Sequence, residues 1–161
     1  MDLKNAAKLA GCVLLCEFAG AIGAIFTIKS IPTWYAALNK PWFTPPNEIF
    51  SPVWIALYAL IGISLFLVWQ EYEKAKEKSE AREAMQVFAM QLLLNSAWAI
   101  VFFGFQSPVA ALVIVALLWA AIVGTIMKFH GISRNAAYLL APYAIWVTFA
   151  VVLNFFIVIL N

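Results

Sequence analysis

The amino-acid sequence predicts an all-α integral membrane protein, a single domain in which five transmembrane helices form a bundle and a long ordered loop follows the first helix. The chain has 161 residues, of which 65% are hydrophobic and only 11% are charged. This composition lies far from the average of soluble domains. The charges are also segregated, because within five long apolar stretches only Glu17 is charged well away from an end.

The five apolar stretches predict five membrane spans. A hydrocarbon core about 30 Å thick needs about 20 helical residues, and each stretch reaches that length. Strands of a membrane barrel would alternate apolar and polar residues, and these stretches do not alternate. The predicted spans are residues 5–28, 47–70, 84–104, 107–129 and 133–160, and the predicted lid loop is residues 29–46.

The first span combines small residues with one acid. Ala19 with Gly23 and Gly20 with Ala24 form pairs of small residues four apart, which let another helix approach closely within the bundle or across a dimer. Glu17, one turn before them, is interpreted either as a protonated or hydrogen-bonded packing residue or as a carboxylate of a binding site or proton relay. We favour packing, because no second charge lies deep in a span to receive a proton.

The two cysteines also belong to the first span. Cys12 and Cys16 are four residues apart, where neighbouring Cβ atoms of a helix are about 5–6 Å apart and beyond the reach of a disulfide. Even with the single His130, the pair offers too few ligands for a metal. We therefore expect buried packing residues and no metal site.

The segment "WYAALNKPWFTPPNEIFSPVW", residues 34–54, joins the first span to the second. Pro41, Pro45 and Pro46 prevent one continuous helix. A connection of this length in a compact bundle is typical of a lid or binding loop. Trp54, at the end of the segment, lies inside the second span.

Glycine, serine and proline predict how the other spans begin and bend. Gly104 is a helix stop, Ser107 a cap and Pro108 a first helical residue, which together predict a tight hairpin between spans three and four. Similarly, "SPVW" predicts that Ser51 and Pro52 begin or tighten the first turn of the second span. Pro142 lies inside the fifth span and is expected to bend it.

Basic residues predict the orientation of the bundle. One side holds only Lys29 and Lys40, and the other side holds eight basic residues. This asymmetry predicts a cytoplasmic amino terminus and an external carboxy terminus, in the cell membrane. The eight residues are Lys4, Lys8, Lys74, Lys76, Lys78, Arg82, Lys128 and Arg134.

Polar and aromatic residues recur on one face of three spans, at spacings of three or four residues. Two interpretations remain open. The residues either join helices and anchor the bundle at the membrane interface, or they line a binding pocket with aromatic walls and a few amides. They are Trp54 and Tyr58 on the second span, Gln91, Asn95 and Trp98 on the third, and Tyr143, Trp146, Ala150 and Asn154 on the fifth.

Three segments carry a resemblance to a known family. "WYAALNKPWFTPPNEIFSPVWIALY", "QLLLNSAWAIVFFG" and "PYAIWVTFAVVLN" are similar, in order and spacing, to the hallmark segments of the translocator protein family. This family is also called the tryptophan-rich sensory protein, peripheral-type benzodiazepine receptor or TspO/MBR family. The resemblance implies a five-helix bundle that dimerises, needs no cofactor and has no nucleic-acid partner.

The resemblance also implies a ligand. Family members bind porphyrins, particularly protoporphyrin IX, and other flat lipophiles in a pocket among the helices under the first loop. The sterol-recognition pattern of animal members is absent, because "LNFFIVILN" has neither Tyr nor a basic residue. The predicted ligand-binding residues are Tyr35, Trp54, Asn95, Trp98, Trp146 and Ala150 from the resemblance, and Tyr58, Tyr143 and Asn154 from the shared faces.

These observations predict a membrane receptor, sensor or transporter for porphyrins. The alternative is light- and oxygen-dependent porphyrin degradation, in which Trp54 and Trp146 would be the catalytic residues. The chain has no Ser, His and carboxylate set that would indicate a conventional enzyme. An ion-coupled transporter or channel is disfavoured, because such functions need several ionisable groups within the membrane.

Overall fold

The computed structural model describes residues 2–74 and 78–161, and within them it contains helices and no strands. Five helical segments are long and apolar enough to cross a membrane. The predicted fold class is therefore confirmed. Lys76, counted above among the basic residues, lies outside the described residues. The five segments are Leu3–Tyr35, Asn47–Lys74, Ser79–Gly104, Pro108–Ile132 and Arg134–Leu160.

Six α-helices and two π-helical turns make up these segments. One π turn, Ile31–Tyr35, extends α1, and the other, Ile100–Gly104, extends α3. The α-helices are α1 (Leu3–Ser30), α2 (Asn47–Lys74), α3 (Ser79–Ala99), α4 (Pro108–Ile132), α5 (Arg134–Leu139) and α6 (Ala141–Leu160).

The lid loop begins later than the sequence predicts. Residues 29–37 remain helical, and only residues 38–46 lack helix, so the predicted start at residue 29 is wrong. Pro32, near the start of the first π turn, has no N–H for the usual bond to a carbonyl four residues back. The wider π turn accommodates that missing bond without ending the helix, which carries Tyr35 beyond the predicted span.

Proline and serine affect the other helix ends in different ways. Pro142 follows a break at Leu140 between α5 and α6, as expected. Pro108 is at the start of α4 and Ser107 is its N-cap residue, as expected, although the Ser107 side chain makes no cap hydrogen bond. α2 begins at Asn47, which puts Pro52 beyond the first turn that it was expected to start or tighten.

Small residues bring α1 close to its two neighbours, α2 and α3. The Ser96 hydroxyl of α3 donates to the Ala19 carbonyl of α1 at 3.0 Å. A Cβ atom on Gly23 would lie 2.8 Å from that of Ala99. On the other side, a Cβ atom on Gly62 of α2 would lie 2.5 Å from the Val13 Cα atom. Small residues of α1 therefore serve packing within the bundle.

Two clusters of buried residues form the core. The scaffold cluster extends from the end of the bundle that holds α5 as far as Tyr58 and Ala150, and it includes Ile61, Val68, Leu118 and Ile122. Cys12 and Cys16 belong to it as unpaired buried residues, as expected. The lid-end cluster lies below the loop, and its buried members are Tyr35, Phe102, Ala111, Leu153 and Ile157.

The loop is tied to the end of α6 by an amide clasp, which consists of Asn39 and Asn161. The backbone N–H of Asn39 donates to the Asn161 side-chain oxygen at 3.0 Å, and the Asn161 amide donates to the Asn39 carbonyl at 3.0 Å. The Asn39 amide also donates to the Leu160 carbonyl at 3.2 Å. The loop is thereby held against the same helix that forms one wall of the cavity described next.

Candidate ligand-binding cavity

A cavity of about 330 Å³ lies among α1, α2, α3 and α6. Its wall is mainly apolar and aromatic, with a few amide, hydroxyl and carboxyl groups. The residues are Glu17, Gly20, Ala21, Gly23, Ala24, Thr27, Ile28, Ile31, Tyr35, Asn47, Phe50, Ser51, Trp54, Ile55, Tyr58, Asn95, Trp98, Ala99, Phe102, Phe103, Trp146, Phe149, Ala150, Leu153, Asn154 and Ile157.

The structure brings eight of the nine predicted ligand residues to this wall. Tyr143 is the exception, because it is fully buried behind the wall. The eight residues are Tyr35, Trp54, Tyr58, Asn95, Trp98, Trp146, Ala150 and Asn154. The shared faces identified from helical spacing thus turn toward one space, and the additional wall phenylalanines were missed because phenylalanine is common throughout the apolar spans.

Aromatic rings give the cavity flat, rigid surfaces. Trp54 stacks on Tyr58, with ring centroids 5.5 Å apart and planes 29° apart. The Trp98 ring lies 6.3 Å from the Trp54 ring, and Trp146 packs against Phe149 at 5.7 Å. Such contacts hold each ring in place, because aromatic pairs favour offset and tilted geometries at these distances. The wall therefore suits a flat hydrophobic ligand.

A buried chain of hydrogen bonds fixes the polar part of the wall. The Tyr58 hydroxyl donates to the Asn95 Oδ1 atom at 2.5 Å, and the Asn95 amide donates to the Tyr143 hydroxyl at 2.8 Å. The Tyr143 hydroxyl then donates to Gln91 Oε1 at 2.9 Å. Tyr143 therefore acts from behind the wall by orienting the Asn95 amide, and this role was not evident from the sequence.

Asn154 also forms hydrogen bonds within the protein. Its side-chain oxygen accepts from the Trp98 indole N–H at 3.3 Å, and its amide donates to the Pro108 carbonyl at 2.9 Å. Asn154 thus joins α6 to both α3 and the start of α4. This bond to Asn154 fixes the Trp98 ring on the cavity wall.

Tyr35 forms the loop end of the cavity. Its side chain is 3% exposed, and its hydroxyl has no hydrogen-bond partner among the described residues. Lys40 holds this end of the helix, because its ammonium donates to the carbonyls of Tyr35 at 2.8 Å and Leu38 at 3.0 Å. Carbonyls at a helix end are favourable partners for a cation. Sequence reasoning used Lys40 only for orientation and missed this contact.

Glu17 lies at the opposite end of the wall from Tyr35. The side chain is half-buried and lines the cavity, where a carboxylate of a binding site would lie, and the favoured interpretation of Glu17 as a packing residue stays a prediction. No hydrogen bond or ion pair joins it to another described residue. Among residues 2–74 and 78–161, no group of three or more His, Cys, Asp or Glu side chains could hold a metal ion.

Comparisons with known proteins agree with this architecture. The family model described as "TspO/MBR family" matches residues 12–160. The tryptophan-rich protein TspO of Archaeoglobus fulgidus is 42% identical over 157 residues, which cover 98% of this chain and 99% of that protein. The protein of the same name from Chlorobaculum tepidum is 42% identical, with 98% of both chains covered. The translocator protein of Bos taurus is 37% identical, with 90% of this chain and 85% of its own covered.

Proposed function

Because the chain belongs to the TspO/MBR family of multi-pass membrane proteins, we propose that it is a receptor or transporter that binds porphyrins and other flat lipophiles in the cavity. The proposal rests on one observation: the same apolar cavity is lined by Trp54, Trp98 and Trp146. Indole faces stack on extended aromatic surfaces, and a cavity with apolar walls and a few placed polar groups is the usual form of a small-molecule site.

The charges of the wall suggest how protoporphyrin IX would lie. The described wall contains no Lys or Arg, and an unpaired carboxylate deep in a membrane protein is unfavourable. The two carboxylates of protoporphyrin IX would therefore stay at the mouth of the cavity, near the membrane surface, and the macrocycle would face the indoles. The Tyr35 hydroxyl, unpaired among the described residues, offers a hydrogen bond to the ligand.

The remaining parts of the proposal concern assembly and location. The protein acts in the cell membrane as a homodimer, with its amino terminus in the cytoplasm, as the basic residues predict. Porphyrin is a ligand in this scheme, and no cofactor is required. Transport of a lipophile would use the same cavity as its binding site.

Binding is tested by titrating protoporphyrin IX into purified protein in lipid nanodiscs, with porphyrin absorbance as the measurement. Trp54→Phe and Trp146→Phe should each weaken affinity by about 2- to 10-fold, because a favourable aromatic pair contributes about 0.5–1.5 kcal/mol. Trp69→Phe is the matched control, since Trp69 lies outside the cavity wall and donates to Glu73. Equal affinities for all three variants and wild type would contradict the proposed site.

The alternative, light-dependent degradation, is favoured by one observation, the presence of both Trp54 and Trp146 on the cavity wall. Two oxidisable indoles would then face a photosensitising ligand. The same complex should be illuminated in air and its porphyrin spectrum followed. Loss of the bound porphyrin at the rate of free porphyrin would exclude this activity and leave binding unaffected.

A further inference from the structure

Charge is distributed unevenly in the cavity wall. Among the described wall residues, Glu17 alone carries a formal charge, and the other polar groups are amides and hydroxyls. The cavity therefore presents an acid to its contents without any base. An acid without a base should affect which charged ligands the cavity accepts. The flat aromatic walls do not account for such a preference.

The position of Glu17 separates it from the rest of the polar wall. Along α1, Glu17 and Tyr35 are eighteen residues apart, which corresponds to about 27 Å of helix at about 1.5 Å per residue. Gly20, one turn further along, carries no side chain, and a Cβ atom there would overlap the Tyr58 ring. Glu17 thus lies near the Tyr58 ring, on which Trp54 stacks, at the end of the cavity away from the loop.

The hydrogen-bond donors of neighbouring side chains are already engaged. The Tyr58 hydroxyl donates to Asn95, and the Asn95 amide donates to Tyr143. Lys8, also on α1, pairs with Glu73 at 2.6 Å. Acids within membrane spans are costly unless they are paired or reach water. Because Glu17 lines the cavity, the cavity offers space for such a partner.

We propose that Glu17 makes the cavity selective for flat lipophiles that carry a protonated amine. The aromatic body of such a ligand would lie among the indoles, and its ammonium group would meet the Glu17 carboxylate. The neighbouring Trp54 and Tyr58 rings would add attraction, because aromatic faces attract cations. A ligand of the same shape with a carboxylate in that position would be rejected. The inference rests on the proposed function in taking the cavity as the ligand site.

The test uses three anthracene probes of nearly equal shape. They are 9-(aminomethyl)anthracene, which is cationic at neutral pH, neutral 9-ethylanthracene, and anionic anthracene-9-carboxylate. Binding to the protein in phosphatidylcholine nanodiscs is measured by energy transfer from tryptophan to anthracene, and empty nanodiscs correct for partition into lipid. Wild type should bind the amine at least about tenfold more tightly than the neutral probe, and the carboxylate should bind most weakly.

Two variants test whether Glu17 causes the preference for the amine probe. Glu17→Gln keeps the side-chain size and removes the charge, so the affinity ratio of amine to neutral probe should fall to about one. Glu48→Gln is the matched control, because Glu48 is exposed at the start of α2 and lies outside the wall. It should keep the wild-type ratio. Circular dichroism melting checks that both variants fold.

The outcomes separate this inference from the proposed function. If porphyrin and neutral anthracene bind but wild type does not prefer the amine, or Glu17→Gln keeps the preference, the selectivity is overturned and the cavity remains the proposed site. If neither porphyrin nor neutral anthracene binds, the proposed function fails and the selectivity fails with it.

Discussion

The scaffold cluster and the lid-end cluster fill the two ends of the same bundle in different ways. The scaffold cluster contains aliphatic residues with no exposed surface, such as Ile61, Leu118 and Ile122. The lid-end cluster has a few buried members, and its partly buried partners are mostly aromatic, including Trp34, Phe50 and Phe149. Compact branched side chains fill space at high density, whereas large rings that meet edge to face leave a gap between elements.

The comparison teaches that dense packing and open space are separated along the bundle, and that the cavity wall draws on both clusters: Trp54 and Trp146 pack against the scaffold cluster, and Trp98 packs against both. At the scaffold end, close backbone contact between α1 and α2 leaves no room for a ligand. At the lid end, residues of the same two helices line the cavity, and the amide clasp holds the loop against α6. Variants at the scaffold end should therefore change folding most, and variants at the lid end should change ligand exchange most.

The largest expected effect is at Gly62. In Gly62→Leu the new side chain would enter the space of the Val13 backbone, and forcing the two helices apart should cost about 3 kcal/mol or more. Thermal unfolding in nanodiscs should show a large fall in the midpoint. Gly11→Leu is the matched control, since no atom lies within 4 Å of a Cβ atom there. If both variants had similar unfolding midpoints, the close contact of Gly62 with α1 would not limit stability, and this expectation would be contradicted.

An intermediate effect is expected where the two ends meet, at Asn95. Asn95→Leu would leave the Tyr58 hydroxyl without its partner, whereas the Tyr143 hydroxyl would keep its bond to Gln91. An unsatisfied buried group costs about 1–3 kcal/mol, so the unfolding midpoint and the porphyrin affinity should both fall. The double variant that adds Tyr58→Phe should recover part of the stability, because the orphaned hydroxyl is gone. A double variant that is less stable than Asn95→Leu would contradict this account.

The smallest effect on stability is expected at the amide clasp. Asn39→Ala removes one side-chain hydrogen bond, to the Leu160 carbonyl, and this exposed contact should contribute about 1 kcal/mol or less to the free energy of unfolding. Porphyrin dissociation, followed by stopped-flow absorbance, should become several-fold faster because the loop is held less firmly. Asn5→Ala, at the far end of α1, should leave the dissociation rate unchanged. An unchanged rate in Asn39→Ala would show that the clasp does not control ligand release.

The sequence predicted five spans and eight residues of the cavity wall, because membrane thickness sets the length of apolar helices and helical spacing groups residues by face. The rotation of each helix about its axis was harder to predict. Tyr143 shares the spacing of Trp146 and Ala150, yet it faces the buried Asn95 behind the wall. For Glu17, apolar residues surround the whole helix, so nothing in the pattern distinguished a face toward the cavity.

Local backbone geometry was also beyond the sequence pattern. Pro32 follows the apolar run, so the run alone predicts that the first helix ends before it, whereas the π turn that contains Pro32 extends this helix to Tyr35. Lys40 lies in a loop whose path was unknown, so its contact with the carbonyls of that helix end could not be inferred.

The amide clasp has a consequence for the order of events during biosynthesis. Asn39 and Asn161 are 122 residues apart in the chain, and α6 follows all the other described helices. Chains are synthesised from the amino terminus and their early parts fold first, so the loop emerges long before its partner. The amide clasp therefore cannot hold the loop over the cavity until α6 has been inserted and has packed against the other helices. Completion of the binding site would then report that the whole bundle has assembled in the membrane.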